Sequence, residues 1–494
     1  MMNDLQRIVE LQTRLSETYY GIFSEETRPT TVVVVPSFTV DRDLLRRNPN
    51  LKYWEHRMLY IIGLLRKPCV RIIFVSSRTV SSASIDYYFG LFPGLDPGAR
   101  ERLNLISCDD TSPDSLSEVL LRRPALLANI RAQVGQGTSS YMECFVCTEL
   151  EEKLALEFGI PLYESPSALS YIGSKSAARK IFQKLDLATA LGFEGIKGSH
   201  DLVNALCSLK RQAPFMETAV IKLDHGLAAA GNALFSYRDC PTGLKLQDWV
   251  SRELLNRLVP VFDSISPEKF LEQVNEGSCV VECLVGDGTK RSPSVQCQID
   301  PSGALGIVST HEQLFSKTGS QHFAGCMLPA QRPQYLHRAG RRVGEYLREL
   351  GVIGTFGIDF VVVEEDSELK CYAIEINLRK GGTTHHFETL KYLTGGEYEE
   401  ESGRYVTNDR QIRCYYGTDM FVGEPIMGLT ASEVSSFVAR WDIGYSTTER
   451  VGTVLHMLDA AEPYGCLGMT CIAGNPEAAR QTYMRTIQGL AELS

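Results

Sequence analysis

Short β-branched runs and amphipathic stretches alternate along the first third of the chain. The runs Thr31 to Val35, Val70 to Ser76, Leu103 to Ser107 and Glu143 to Thr148 have the character of buried strands. The stretches near Tyr53 to Leu65, Ala83 to Phe92 and Leu116 to Val134 have that of the helices between them. This alternation predicts a parallel sheet with helices on both faces. PSFT stands after the first strand where a dinucleotide site would carry GxGxxG, so no such site is expected there. Ahead of it, MMNDLQRIVELQTRLSETYYGIF has the apolar spacing of an amphipathic helix and lacks the layout of a secretory signal.

From about Pro166 to Thr394 the pattern shifts to strands ended by glycines: Ala219 to Leu223, Ser278 to Val285, Ser294 to Ile299, and then a hairpin. The hairpin is predicted from Phe356 to Val363 and Cys371 to Asn377, two apolar runs around the polar segment Glu364 to Lys370. With its turn centred on Ser367, Asp359 and Glu375 stand directly opposite each other, with Cβ atoms roughly 5 Å apart. Asn377 shares their face because strand side chains alternate, and Gly357 opposite it leaves space for a ligand. Two carboxylates and an amide oxygen converge. Like charges so placed repel, which favours a cation between them, and an all-oxygen set suits Mg²⁺ carrying nucleotide phosphates; the competing reading is a solvated strand end with surface acids. Arg379 keeps to the same face if the strand continues, where a guanidinium would hold a carboxylate or a phosphorylated intermediate. Thr394 to Asp409, with four glutamates, has the composition of an exposed connection. The tail predicts strands around Thr453 to Leu458 and Gly465 to Ile472 and a closing helix, Pro476 to Leu493.

Composition narrows the function classes. At 494 residues the chain should form about three domains. A net charge of −10 argues against nucleic acid as the main partner. No run approaches the roughly 20 apolar residues of a membrane helix, so a cytoplasmic protein is expected. The 14 cysteines lack framework spacing and suit reduced, buried thiols. Cys144 and Cys147 form a CxxC inside an apolar run without a second CxxC, which speaks against zinc or redox use.

Lys222 ends an apolar strand ahead of DHGLAAAGNALF; its ammonium beside loop N–H groups suits a phosphate, and a merely solvated lysine is the alternative. Lys175 opens a helix in GSKSAARKIF and is a second phosphate candidate, although the segment lacks the spacing of a P-loop. Glu282 is the one acid in VVECLV; the edge of that strand would pair with adenine through its backbone, the carboxylate taking the amine, unless Glu282 simply faces solvent. His385 and His386 follow a Gly-Gly-Thr-Thr turn, and the sequence shows no third nitrogen or sulfur ligand to make them a metal site. His456 suits a buried strand histidine, with lining of an acceptor site as the alternative. There is no GxSxG and no HExxH, so a hydrolase is unsupported.

Taken in order, Lys175, Lys222 with its glycine loop, Glu282, Asp359, Glu375 and Asn377 resemble the ATP-grasp superfamily of carboxylate-amine ligases, and IEINLR is similar to its last nucleotide-site strand. TVVVVPSFT, the WEHRMLY helix, IDYYFGLFPG, STHEQLF and HMLDAAEPYGCLGMTCI resemble the branch of pheganomycin-type peptide ligases. The resemblance implies an α/β chain: a Rossmann-like parallel-sheet pre-ATP-grasp domain over 1–165, an ATP-grasp domain over 166–400 and a small α+β C-terminal domain over 401–494. It implies ATP as nucleotide, with phosphates on Lys175 and Lys222, the loop at Gly231 and Asn232, and adenine on Glu282 and the backbone near Val285. Magnesium, or manganese in its place, would sit on Asp359, Glu375 and Asn377, with Arg379 and Lys222 stabilising an acyl phosphate and Gln313 lining the site. The implied reaction joins an amino acid or small peptide to an amine and releases ADP and phosphate. Small molecules are the implied partners, with no nucleic acid or membrane, and a homodimer is compatible. A non-catalytic ATP-binding module and a kinase on a small acceptor are the alternatives. One departure stands out: Ala228, Ala229 and Ala230 replace the glycine-rich centre of the phosphate loop, restricting its backbone.

Overall fold

The computed structural model describes residues 4–22, 28–39, 42–134, 139–225, 231–241, 243–262, 265–285, 290–315, 323–365 and 368–492. Three sheets follow one another along the chain.

The first consists of β1 (Thr30–Val35), β2 (Val70–Ser76), β3 (Leu103–Ser107) and β4 (Ser139–Cys144), all parallel in the order β3-β2-β1-β4. Alternation along β1 feeds two cores: Val32 and Val34 pack on one face, Val33 and Val35 on the other. Both faces are thus covered, as the apolar runs predict. The last strand lies earlier than the expected Glu143 to Thr148, because Thr148 caps the helix Glu149–Phe158 in a box with Glu151, ending the strand at Cys144. Leu116 to Val134 is two helices, Leu116–Leu121 and Pro124–Val134, since Pro124 cannot continue the first. The stretch near Tyr53 to Leu65 forms an 18-residue 3₁₀ helix, Pro49–Arg66. It is buried with its charges, which meet fixed partners: Lys52 reaches Asp110 at 3.0 Å, Glu55 accepts from Ser77, His56 lies 3.4 Å from Asp459, and Arg57 3.0 Å from Asp419.

The second sheet comprises β5 (Gly192–Ile196), β6 (Thr218–Leu223), β7 (Asn232–Ser236), β8 (Leu258–Pro260) and β9 (Cys279–Cys283), antiparallel in the order β5-β9-β6-β7-β8. The third is built from β10 (Lys290–Arg291), β11 (Pro293–Ile299), β12 (Leu305–Phe315), β13 (Phe323–Leu328), β14 (Gly354–Glu365), β15 (Glu368–Asn377), β16 (Glu397–Glu399), β17 (Arg404–Val406), β18 (Ile412–Val422), β19 (Gly452–His456) and β20 (Cys466–Ala473). Pairing of β13 with β18 carries this sheet through residue 401, where the third domain is expected to begin. Thr394 to Asp409 is not merely an exposed connection: β16 and β17 form a small hairpin there, and Tyr405 is fully buried with its hydroxyl 2.8 Å from that of Thr394. The four glutamates hid one buried tyrosine. Among the described residues no helix is long and apolar enough to cross a membrane.

Candidate active site

The hairpin β14–β15 sets the register at the site. Asp359 pairs with Glu375 and Gly357 with Asn377, the facing predicted from alternation. The turn is not centred on Ser367, because the strands pair out to Glu365 with Glu368; residues 366–367 themselves lie outside the described set. A β-bulge after Asp359 absorbs the offset, with Ile374 as the extra residue, and returns Asp359 to a place opposite Glu375.

The side chains close on one another. Asn377 Nδ2 donates to Asp359 Oδ2 at 2.9 Å and faces Glu375 Oε1 at 3.4 Å. Gln313, from β12, donates to Asp359 Oδ1 at 2.7 Å. Lys175 Nζ lies 3.7 Å from Glu375 Oε2; Ser174 caps its helix, Lys175–Lys184. Arg379 follows the end of β15, so the strand does not continue as alternation required. Its guanidinium nevertheless folds back to donate to Asn377 Oδ1 at 3.2 Å. Burial and the Glu375 charge push Asp359 well above the ordinary carboxylate range. Burial also pushes Glu375 upward, but Lys175, the hydrogen bond from Asp359, Lys222 and Arg379 draw it below its ordinary value. The two carboxyls are thus driven apart, Asp359 upward and Glu375 downward, as close like charges are when no cation separates them. With an amide flip at Asn377 the donor set is oxygen only, which fits a hard divalent ion.

A second group gathers on the neighbouring sheet. Lys222, on β6, forms an ion pair with Glu282, on β9, and Arg179 NH1 holds the other oxygen of Glu282 at 2.9 Å. Glu282 is buried, not solvent-facing, and both its oxygens are taken. Nor is β9 an edge: it runs between β5 and β6, and the pairing continues past it to Leu284, whose N–H donates to the Thr218 carbonyl at 3.4 Å, which leaves the backbone near Val285 for the expected adenine contact. Asn232 pairs with Lys222 across β6–β7, and its buried Oδ1 has no hydrogen-bond partner among the described residues. Gly231 is buried beside it, while the Ala228 to Ala230 departure lies outside the described residues. Arg179 escaped the sequence reading. Its signal was its place one turn after Lys175, on the same face of the same helix.

His385 and His386 begin the helix Thr384–Thr394, and the structure brings His456 from β19 against both. The third nitrogen that the sequence did not show is supplied through space. Cys144 and Cys147 are buried, and desolvation pushes both thiols well above their ordinary value, as expected of inert thiols.

The IQCH-like ATP-grasp family model matches residues 256–401, and that of the PGM1 C-terminal domain matches residues 438–486. The biotin carboxylase domain of Hydrogenobacter thermophilus 2-oxoglutarate carboxylase superposes with a TM-score of 0.57 at 11% identity, over 93% of this chain and 89% of that one. An L-amino acid ligase from Bacillus licheniformis gives a TM-score of 0.50 at 14% identity, over 94% and 98%. Residues 256–401 thus resemble an ATP-grasp domain, and the chain as a whole has the fold of these two structures. More specific is its likeness to the L-propargylglycine–L-glutamate ligase of Streptantibioticus cattleyicolor, 28% identical over 474 residues that span 93% of this chain and 94% of the relative.

Proposed function

We propose that this protein is an ATP-dependent, ADP-forming ligase that joins the carboxylate of an amino acid or small peptide to an amine. The observation that carries this reading is the convergence of Asp359, Glu375 and Asn377 with Lys175 and Arg379 at one end of β14–β15. Two named ligases among the similar proteins, one of them acting on two amino acids, support the substrate class. The Hydrogenobacter domain was solved with magnesium ADP, which supports nucleotide binding by this fold.

In this assignment Lys175 and Lys222 bind ATP phosphates, and Gly231 and Asn232 supply the adjoining loop. Lys222 leaves Glu282 to do so, while Arg179 stays as the partner that keeps Glu282 in place. The Val285 backbone and Glu282 border the adenine. Asp359, Glu375 and Asn377 hold magnesium, with manganese acceptable to the same oxygen set. Held there, the ion would supply positive charge to offset that of the moving phosphoryl group. The substrate carboxylate attacks the γ-phosphorus and ADP leaves; the amine then attacks the acyl carbon and phosphate leaves. Arg379 faces the acyl phosphate and neutralises it while Lys175 holds the pair of acids in position. Gln313 orients Asp359.

The test is chromatography of nucleotide products after incubation with Mg²⁺, ATP and pooled amino acids. ADP that appears only with amino acids present is the expected outcome, and mass spectrometry of the pool then identifies the product. AMP overturns the acyl-phosphate route.

A further inference from the structure

We propose that His385, His386 and His456 form a second, separate metal site for a transition ion of the Zn²⁺ or Co²⁺ class. One ring nitrogen of each lies within 4.8 Å of those of the other two, and this is the one such group among the described residues. Nitrogens around a tetrahedral ion, each about 2.0–2.1 Å from it, sit about 3.4 Å apart, so closing on a metal requires shifts on the order of an ångström.

Three observations separate this cluster from an ordinary buried hydrogen-bond network. First, His386 Nε2 is fully buried and has no hydrogen-bond partner among the described residues; Asp419 Oδ1 is 4.0 Å away, beyond hydrogen-bond reach. A complete network would leave no ring nitrogen unpaired. Second, the rings are held by fixed partners from three directions: Asp419 Oδ1 lies 2.9 Å from His385 Nε2, Thr470 Oγ1 lies 2.6 Å from His386 Nδ1 and 2.7 Å from His456 Nε2, and the Tyr88 hydroxyl is 3.1 Å from His456 Nδ1. Such outer partners orient imidazoles around metals, a carboxylate behind a histidine above all; both nitrogens of His456 are engaged, so it gives up one of its two bonds, to Thr470 or to Tyr88, on taking up the ion. Third, glycines clear the space. A Cβ on Gly417 would meet the His386 ring at 2.7 Å, and one on Gly468 would meet Asp419 Oδ1 at 2.7 Å.

The chemistry selects the ion. Imidazole nitrogens suit zinc, cobalt, nickel or copper and not magnesium, which the carboxylate site prefers. Asp419 contributes one negative charge but shares it with Arg57 at 3.0 Å, so a divalent ion here leaves a position for an anionic fourth ligand such as hydroxide or a carboxylate. The ion would tie the helix that follows the site strand to β19 and β20, with Arg57 and Tyr88 behind it.

The experiment uses the full chain, stripped with chelator and dialysed against Co²⁺ in excess Mg²⁺, with metal counted by mass spectrometry and coordination followed by visible absorption. About one Co²⁺ per chain, with the intense visible band of a low-coordinate nitrogen site, is expected in both wild type and Glu375→Ala. His386→Gln and His456→Gln should lose the band and bind at least about tenfold more weakly, with circular dichroism confirming that they are folded. Wild type that retains no Co²⁺ overturns the proposal, which keeps it falsifiable if either variant fails to fold. Folded variants that keep the band, or a Glu375→Ala protein that loses it, overturn it as well.

Discussion

Glu164 and Glu375 are both carboxylates set beside a lysine, and they are built in opposite ways. Glu164 is closed: Lys380 pairs with it directly in the interior and also donates to the Cys144 carbonyl at 2.9 Å. Burial pushes Glu164 up to about 7 although Lys380 draws it down. Glu375 is open. Its side chain is 25% exposed, its lysine stands off at 3.7 Å, and its charge is balanced by several groups, Lys175, Lys222 and Arg379 among them. A carboxylate whose charge is matched by one tight partner holds the fold together; one matched loosely from several sides is ready for an incoming cation.

Substitutions can break this contrast. Glu375→Ala should lower turnover by at least about 10³-fold with an unchanged melting temperature, because it removes a charge that matters only when phosphate is transferred; melting and ADP release measured on one preparation check it. Lys380→Met should do the reverse, costing about 3–4 kcal/mol by leaving Glu164 buried without its partner, read as a lower urea midpoint.

The closed class also predicts a pH dependence. Burial pushes Glu55 up to about 7 from 4.5, against hydrogen bonds from Ser77 that draw it down. The folded protein then keeps a proton that the unfolded chain releases, so the stabilisation is whole below about pH 4.5 and is lost as pH rises through about 7. The loss should approach about 3 kcal/mol, and Glu55→Gln should flatten it in urea titrations run at about pH 5 and about pH 8. The smallest effect is expected from Asp359→Asn without ligands: with Asp359 pushed well above the ordinary carboxylate range, a neutral amide in its place should leave stability within about 1 kcal/mol of wild type, while magnesium-dependent nucleotide binding weakens. Calorimetry with and without Mg²⁺ checks both halves.

Much of the site was legible because it obeys a local rule. Alternation alone put Asp359, Glu375 and Asn377 on one face, and the register survived a misplaced turn because the bulge at Ile374 compensated for it. Lys175 and Lys222 were legible as an element's first or near-last residue. What was not legible depends on packing between distant segments. Arg179 meets Glu282 across 103 residues, and His456 reaches His385 and His386 only through the third sheet. Tyr405 was hidden because a hairpin of two three-residue strands, with only the adjacent Tyr405 and Val406 buried in them, has no periodicity to detect. The buried charges of Pro49–Arg66 likewise meet partners on distant elements, information that hydropathy does not carry.

The pairing of β13 with β18 bears on how this chain can be cut or built. The family match ends at residue 401, yet the strand that covers β13 begins at Ile412. A fragment stopped at the match would keep every proposed nucleotide-site residue from β11 onward and still expose a bare strand edge, an invitation to aggregation. On the ribosome the same interval recurs for every molecule: the acidic hairpin emerges first and must wait, one edge of its sheet open, until β18 has been synthesised.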